Sequence, residues 1–172
     1  MFKSPETVLR ARSLAIVGAS ERGKWPGEIY AGLRDGGYAG KVYPINPRYS
    51  TIWNGPCYAG FSALPEPVEH AAIIVPAPHV LPVIEDGVKH GLKSATVYSA
   101  GVGDGSDRES RERGARLKAI CAETGLIVSG PNCMGGHSWR EKLFLYPNAR
   151  ITALAPGSVG RSEEHTSELQ SH

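Results

Sequence analysis

The stretch Leu14-Ala15-Ile16-Val17-Gly18-Ala19-Ser20-Glu21-Arg22-Gly23 runs from four apolar residues into a turn of small residues, with glycine at its first and sixth positions. Beyond it Ile29 and Leu33 stand one helical turn apart, and Gly36 and Gly37 stop the pattern. Strand, tight turn and helix in that order make a unit that presents backbone N–H groups and the positive end of a helix at the turn. In a dinucleotide fingerprint the second glycine lets the backbone approach a pyrophosphate. Ser20 takes that place here. A small hydroxyl still permits close approach and adds a donor for a phosphate oxygen.

Short apolar segments of the same kind recur at Lys41 to Ile45, Ala71 to Val75, Ala95 to Tyr98 and Leu126 to Val128. Their near-continuous hydrophobicity predicts strands covered on both faces. Between them Val80, Val83, Ile84, Gly87 and Val88 keep a helical rhythm up to Gly91, a left-handed cap. Ser106 with Glu109 reads as a capping box, after which Leu117, Ile120, Cys121 and Thr124 share a face as far as Gly125. Alternating strands and helices predict an α/β fold: a doubly wound, mainly parallel Rossmann-like sheet with helices on both faces and right-handed crossovers.

Length and composition narrow the possibilities. A chain of 172 residues holds about one domain. Nineteen basic and seventeen acidic residues, without a Lys/Arg block, show no nucleic-acid or anionic-membrane footprint. No apolar run reaches the roughly 18 residues of a membrane span, and the first residues, MFKSPETVLRARS, mix charge and proline where a secretory core would lie. A cytoplasmic protein is expected. Cys57, Cys121 and Cys133 lie far apart with no CxxC, so they fit neither a disulfide framework nor a zinc site. His70, His79, His90 and His137 have no HxxxH spacing or neighbouring carboxylate cluster and read as surface or loop histidines. No catalytic residue and no metal ligand is assigned.

From about His137 the rhythm breaks into SWREKLFLYPNARITALAPG, an irregular stretch with the look of an interdomain connection, followed by Ser158, Val159 and Gly160. Residues 161–172, RSEEHTSELQSH, have one isolated leucine and no period. They resemble the conceptual translation of a sequencing-library adapter and are expected to be a non-native tail. The organisation expected is a ligand-binding domain over 1–137, a linker with the start of a truncated second domain over 138–160, and the tail.

The end of the second strand separates ligand classes. NAD-dependent folds place an acid there for the ribose 2′-hydroxyl, but this chain reads Pro44-Ile45-Asn46-Pro47-Arg48. Arg48 suits a phosphorylated ribose, which leaves NADP or coenzyme A (CoA). Two further loops follow strands, Pro76-Ala77-Pro78 and Gly130-Pro131-Asn132-Cys133. Prolines stiffen such loops, and a preorganised loop loses less entropy on binding.

The ordered motifs VGAS, NPRY, VPAP, SAG and GPNC, at Val17 to Ser20, Asn46 to Tyr49, Val75 to Pro78, Ser99 to Gly101 and Gly130 to Cys133, resemble the CoA-binding domain of nucleoside-diphosphate-forming acyl-CoA synthetases. The succinyl-CoA synthetase α-subunit is a relative of that family. The resemblance spans about residues 8–160. It implies that Gly18, Ala19 and Ser20 line the CoA phosphates, that Arg48 contacts the nucleotide, and that Pro76 and Pro78 flank it. Tyr98, Ser99 and Ala100 would border the cleft, with Asn132 and Cys133 near the thiol end. It further implies partner ligase and ATP-grasp domains or subunits, one of them carrying a phosphorylated histidine. Two other functions stand beside it: a stand-alone, non-catalytic CoA-binding or regulatory protein, and an NADP-dependent oxidoreductase.

Overall fold

The computed structural model describes residues 4–153; residues 156–160 and the tail 161–172 lie outside the described residues. In chain order the elements are α1 (Glu6–Leu9), β1 (Ser13–Val17), α2 (Lys24–Asp35), β2 (Lys41–Ile45), β3 (Thr51–Ile52), β4 (Gly55–Pro56), β5 (His70–Ile73), α3 (Ala77–Lys89), β6 (Ser94–Val97), α4 (Arg108–Thr124), β7 (Ile127–Ser129), β8 (His137–Ser138) and β9 (Leu143–Phe144). Short 3-10 turns lie at Phe61–Ala63 and Ala149–Ala153.

Five strands form one sheet in the order β2-β1-β5-β6-β7, and every pairing is parallel. This is the doubly wound sheet that the alternating pattern predicts. Burial follows position: β1, β5 and β6 are buried throughout, whereas edge strand β2 is buried only at Pro44 and Ile45. Side chains alternate across a strand. Ala15 and Val17 therefore join Val80, Ile84, Leu117 and Ile120 under α3 and α4, while Leu14 and Ile16 join Ile29 and Leu33 under α2. Each buried aliphatic side chain stabilises the fold by roughly 1.5–3 kcal/mol relative to exposure.

The irregular stretch after β8 contributes to the second layer. Leu143, Phe144 and Leu145 are buried. Phe144 lies against α2 where Gly36 has no side chain, since a Cβ there would come within 2.4 Å of the ring. Ala149 N–H donates to Glu28 Oε2 at 2.7 Å and fixes the segment along the helix.

Two local expectations are corrected. The N-cap of α4 is Asp107, whose carboxylate accepts Ser110 N–H at 2.7 Å, and not Ser106 in a box with Glu109. Ser110 is buried and its Oγ accepts the N–H groups of Gly103 and Gly105, which fixes where the helix starts; Glu109 turns outward to Arg113 at 3.2 Å. His70 is no surface histidine. It is fully buried in β5, with Nδ1 2.8 Å from Ser94 Oγ and Nε2 3.0 Å from Thr96 Oγ1. Burial pushes its pKa down to about 3, so the ring is neutral. Among the described residues no helix is long and apolar enough to cross a membrane.

Candidate functional site

Open parallel sheets bind ligands beyond the carboxyl ends of their strands, at the point where the winding reverses. That point lies here between β1 and β5, because the chain moves from β1 outward to β2 and then returns past β1 to β5. The register aligns Ile45, Val17, Ile73 and Val97, so the loops after these strands leave from one level.

The turn after β1 is the tightest part of this edge. Gly18 has φ +89°, and a Cβ on it would lie 2.1 Å from Ile74 O. Only glycine fits both the conformation and the space. Gly18 N–H donates to Ile45 O at 2.9 Å, and Ala19 beside it is buried. Ser20 is half-buried; its Oγ accepts Arg22 N–H at 3.3 Å, leaving the hydroxyl proton to donate elsewhere. Gly23 caps α2 without a side-chain hydrogen bond, and because Pro26 has no N–H the open N–H groups of this helix start are those of Lys24 and Trp25.

Arg48 stands next to this turn. Its guanidinium is exposed and, among the described residues, enters no ion pair. Arg22 and Lys24 are exposed close by in sequence, and Glu21, the acid among them, is engaged in accepting Trp53 N–H at 3.0 Å. The edge is therefore a place for anions.

The remaining predicted residues follow along the same edge. Pro76 caps α3 and Pro78 sits in its first turn, both exposed. Ser99 ties three loops together: its hydroxyl donates to Val75 O, and its carbonyl accepts Asn132 N–H at 3.2 Å. Tyr98 is buried, packs edge-on against Trp25 at 6.0 Å and donates its hydroxyl to Leu145 O. Burial holds that phenol well above its usual range. Tyr98 and Ser99 thus hold the rim together, while Ala100 and Asn132 are exposed on it. Cys133 is half-buried, with its thiol directed to Val97 O at 3.5 Å. Arg48 follows edge strand β2 and the Cys133 thiol reaches the end of β6, three strand spacings or about 14 Å across the sheet, so no small group touches both.

Reading by residue type missed Asn46, Glu21 and Trp25. The Asn-Pro pair after β2 is a turn signal that could have singled out Asn46; the other two act through long-range contacts without a local signature.

Two cavities of about 730 and 700 Å³ open elsewhere, at the amino ends of the strands, both lined by Arg10, Arg12, Glu69 and Glu141. Charges there largely neutralise one another: Arg10 pairs with Glu6 at 2.9 Å and Lys93 with Glu69 at 3.2 Å. Glu69 also accepts Arg12 N–H, which holds its carboxyl below the usual range. Paired charges at this end, against the exposed Arg48 guanidinium at the other, favour the carboxyl edge for an anion. Among the described residues no cluster of His, Cys, Asp and Glu could hold a metal ion.

Residues 12–138 match the CoA binding domain family. The chain belongs to this family. The CoA-binding domain is similar to an ADP-forming acetate–CoA ligase from Methanocaldococcus jannaschii, 34% identical over 72% of this chain and 17% of the ligase. A trans-feruloyl-CoA synthase from an unknown prokaryotic organism is 29% identical over 90% of this chain and 22% of the synthase. The chain thus spans about a fifth of the length of these curated relatives. Among solved structures, an acetyl-coenzyme A synthetase 1 from Ca. Korarchaeum cryptofilum superposes with a TM-score of 0.74 at 32% identity, covering 84% of this chain and 31% of that one. The protein is homologous to part of the ADP-forming acyl-CoA synthetases, and its ligand is CoA. A turn without a Cβ, an open helix end and an unpaired guanidinium suit that polyphosphate.

Proposed function

We propose that the chain is the CoA-holding part of an ADP-forming acid–CoA ligase, which interconverts acyl-CoA, phosphate and ADP with acid, CoA and ATP. What carries this reading is the row of loops along one sheet edge, whose chemistry changes from cationic at Arg48 to thiol-bearing at Cys133. CoA has the same polarity along its length, from the 3′-phosphate through the pyrophosphate to the thiol. Arg48 would pair with the 3′-phosphate. Gly18 and Ala19, whose N–H groups are given to Ile45 O, would let the pyrophosphate approach the turn closely, and Ser20 would donate its hydroxyl to it. Pro76 and Pro78 would flank the chain, Tyr98, Ser99 and Ala100 would fix the rim, and Asn132 with Cys133 would border the thiol. The work of these residues is binding and orientation. Phosphoryl transfer belongs, in this reading, to a histidine-bearing ligase domain and an ATP-grasp domain, and the assembly acts in the cytoplasm without nucleic acid.

The test is calorimetry with CoA and dephospho-CoA. A charge-assisted bond contributes roughly 1.5–3 kcal/mol, or roughly a tenfold to 150-fold difference in affinity. Exposure of Arg48 moves the expected preference for CoA toward the lower figure, and salt reduces it further. Arg48→Ala should remove most of the preference and retain most of the dephospho-CoA affinity. Equal wild-type affinities for the two ligands would remove Arg48 from the site, and tighter binding of NADPH than of CoA would overturn the proposal in favour of an oxidoreductase.

A further inference from the structure

Asn46 occupies the junction between the two anion-facing parts of the edge. Its Nδ2 donates to Ala19 O at 2.7 Å, and its Oδ1 accepts Arg48 N–H at 3.0 Å. A donor to one loop and an acceptor from the other fix the amide orientation, and the amide supplies the two from separate atoms, where a hydroxyl would have to supply both from one oxygen. The backbone is equally engaged: Asn46 N–H donates to Tyr58 O at 2.9 Å, and Asn46 O accepts Tyr49 N–H at 3.3 Å. The Asn46-Pro47-Arg48-Tyr49 segment is therefore a β-turn with proline preset at its second position, closed by an asparagine side chain over the arginine N–H. The backbone ties the two loops one residue earlier, where Gly18 and Ala19 N–H both donate to Ile45 O at 2.9 and 3.3 Å, and the Asn46 amide adds the side-chain tie that reaches the turn itself. The opposite flank is held separately, by Glu21 accepting Trp53 N–H and by Trp53 stacked on Tyr30 at 4.4 Å.

We infer that Asn46 is a positioning residue that sets the distance between the β1 turn and the Arg48 guanidinium, and thereby sets how strongly the site distinguishes CoA from its form without the 3′-phosphate. This rests on the CoA reading of the edge. Aspartate would keep the acceptor for Arg48 N–H but would turn a carboxylate oxygen toward the Ala19 carbonyl, close to a bound anion. Alanine would remove both side-chain bonds and leave the Arg48 turn tied to the phosphate-facing loop only through Ile45 O, one residue before it.

The experiment is a double-mutant cycle on the whole chain, read as the ratio of dephospho-CoA to CoA dissociation constants. Asn46→Ala should lower that ratio by about twofold or more, the equivalent of one weak hydrogen bond, and by no more than Arg48→Ala does. In the Arg48→Ala background the same substitution should leave the ratio unchanged, because the group it places is gone. A merely structural role would weaken both ligands alike and leave the ratio untouched in either background, and that result overturns the inference. Should the alanine variant fail to fold, Asn46→Ser keeps a turn-closing oxygen for Arg48 N–H but is too short to reach Ala19 O. It should lower the ratio too, and an unchanged ratio counts against the inference. Wild-type protein that binds NADPH more tightly than CoA overturns the CoA reading itself, wild-type protein with equal affinities for CoA and dephospho-CoA removes Arg48 from the site and the inference with it, and a wild-type preference that survives Asn46 substitution overturns the positioning role alone.

Discussion

Replacing Gly18 by alanine combines a conformational cost with a steric one, and the structure offers a control that separates them. Gly18 has φ +89° and would bring a Cβ within 2.1 Å of Ile74 O. Gly125, after α4, has φ +79° and nothing within 4 Å of an added Cβ. Gly125→Ala therefore carries only the cost of holding an L-residue left-handed, about 1–2 kcal/mol. In Gly18→Ala the clash is with backbone of the neighbouring loop, which cannot rotate away as a side chain would; overpacking of this kind adds about 1–3 kcal/mol. The total of about 2–5 kcal/mol is a large share of the roughly 5–15 kcal/mol that stabilises a domain. Urea denaturation followed by circular dichroism measures it. With a slope of about 2 kcal/mol per molar, Gly125→Ala should lower the midpoint by about 0.5–1 M, and Gly18→Ala by about twice that or more. Coincident midpoints for the two variants would refute the claim that the β1 turn presses against the loop after β5.

Two other perturbations address the corrected elements. Asp107→Ala should destabilise the chain by about 0.5–2 kcal/mol through loss of the α4 cap, while Ser106→Ala stays within about 0.5 kcal/mol of wild type; thermal or urea unfolding distinguishes them, and the reverse order would restore the capping box at Ser106. The buried ring of His70 has its pKa lowered to about 3, against about 6.5 in the unfolded chain. Its contribution is present above pH 6.5 and is lost as pH falls through the window toward 3, since the unfolded state then binds the additional proton. Wild-type stability should therefore drop more steeply than that of His70→Gln below pH 6.5, by at most about 1.4 kcal/mol per pH unit, and parallel curves would show that burial does not suppress protonation of His70.

Legibility in the sequence tracked how local each determinant is. Leu14 to Val17 and its counterparts in β5 and β6 are apolar on both faces because these central strands are covered on both faces, whereas the edge segments Lys41 to Ile45 and Leu126 to Val128, expected to be covered likewise, are only partly buried in β2 and β7. The turn at Gly18 was visible because positive φ and close approach leave only glycine. Asn46 was not singled out, since its effect depends on Ala19, twenty-seven residues away, being brought within 2.7 Å. Tyr98 and Ser99 were read as cleft residues from their motif, yet their hydroxyls are directed to carbonyls that only the folded chain delivers. His70 looked like any isolated histidine because Ser94 and Thr96, which satisfy its ring, lie on the next strand. Leu143, Phe144 and Leu145 carry no helical or strand period, and their burial comes from α2 and Tyr98.

The central claim is that CoA lies along the carboxyl edge of the sheet, with its phosphates between Arg48 and the turn after β1. Amide chemical shifts recorded while CoA is titrated into the whole chain test this residue by residue. The account predicts the largest, saturable shifts at Gly18, Ala19, Ser20 and Arg48, with smaller ones at Ala100 and Asn132, and little change at Arg10, Arg12 and Glu69. Saturable shifts centred on Arg10, Arg12, Glu69 and Glu141, with the β1 turn silent, would contradict it and would move the ligand to the cavities at the opposite edge.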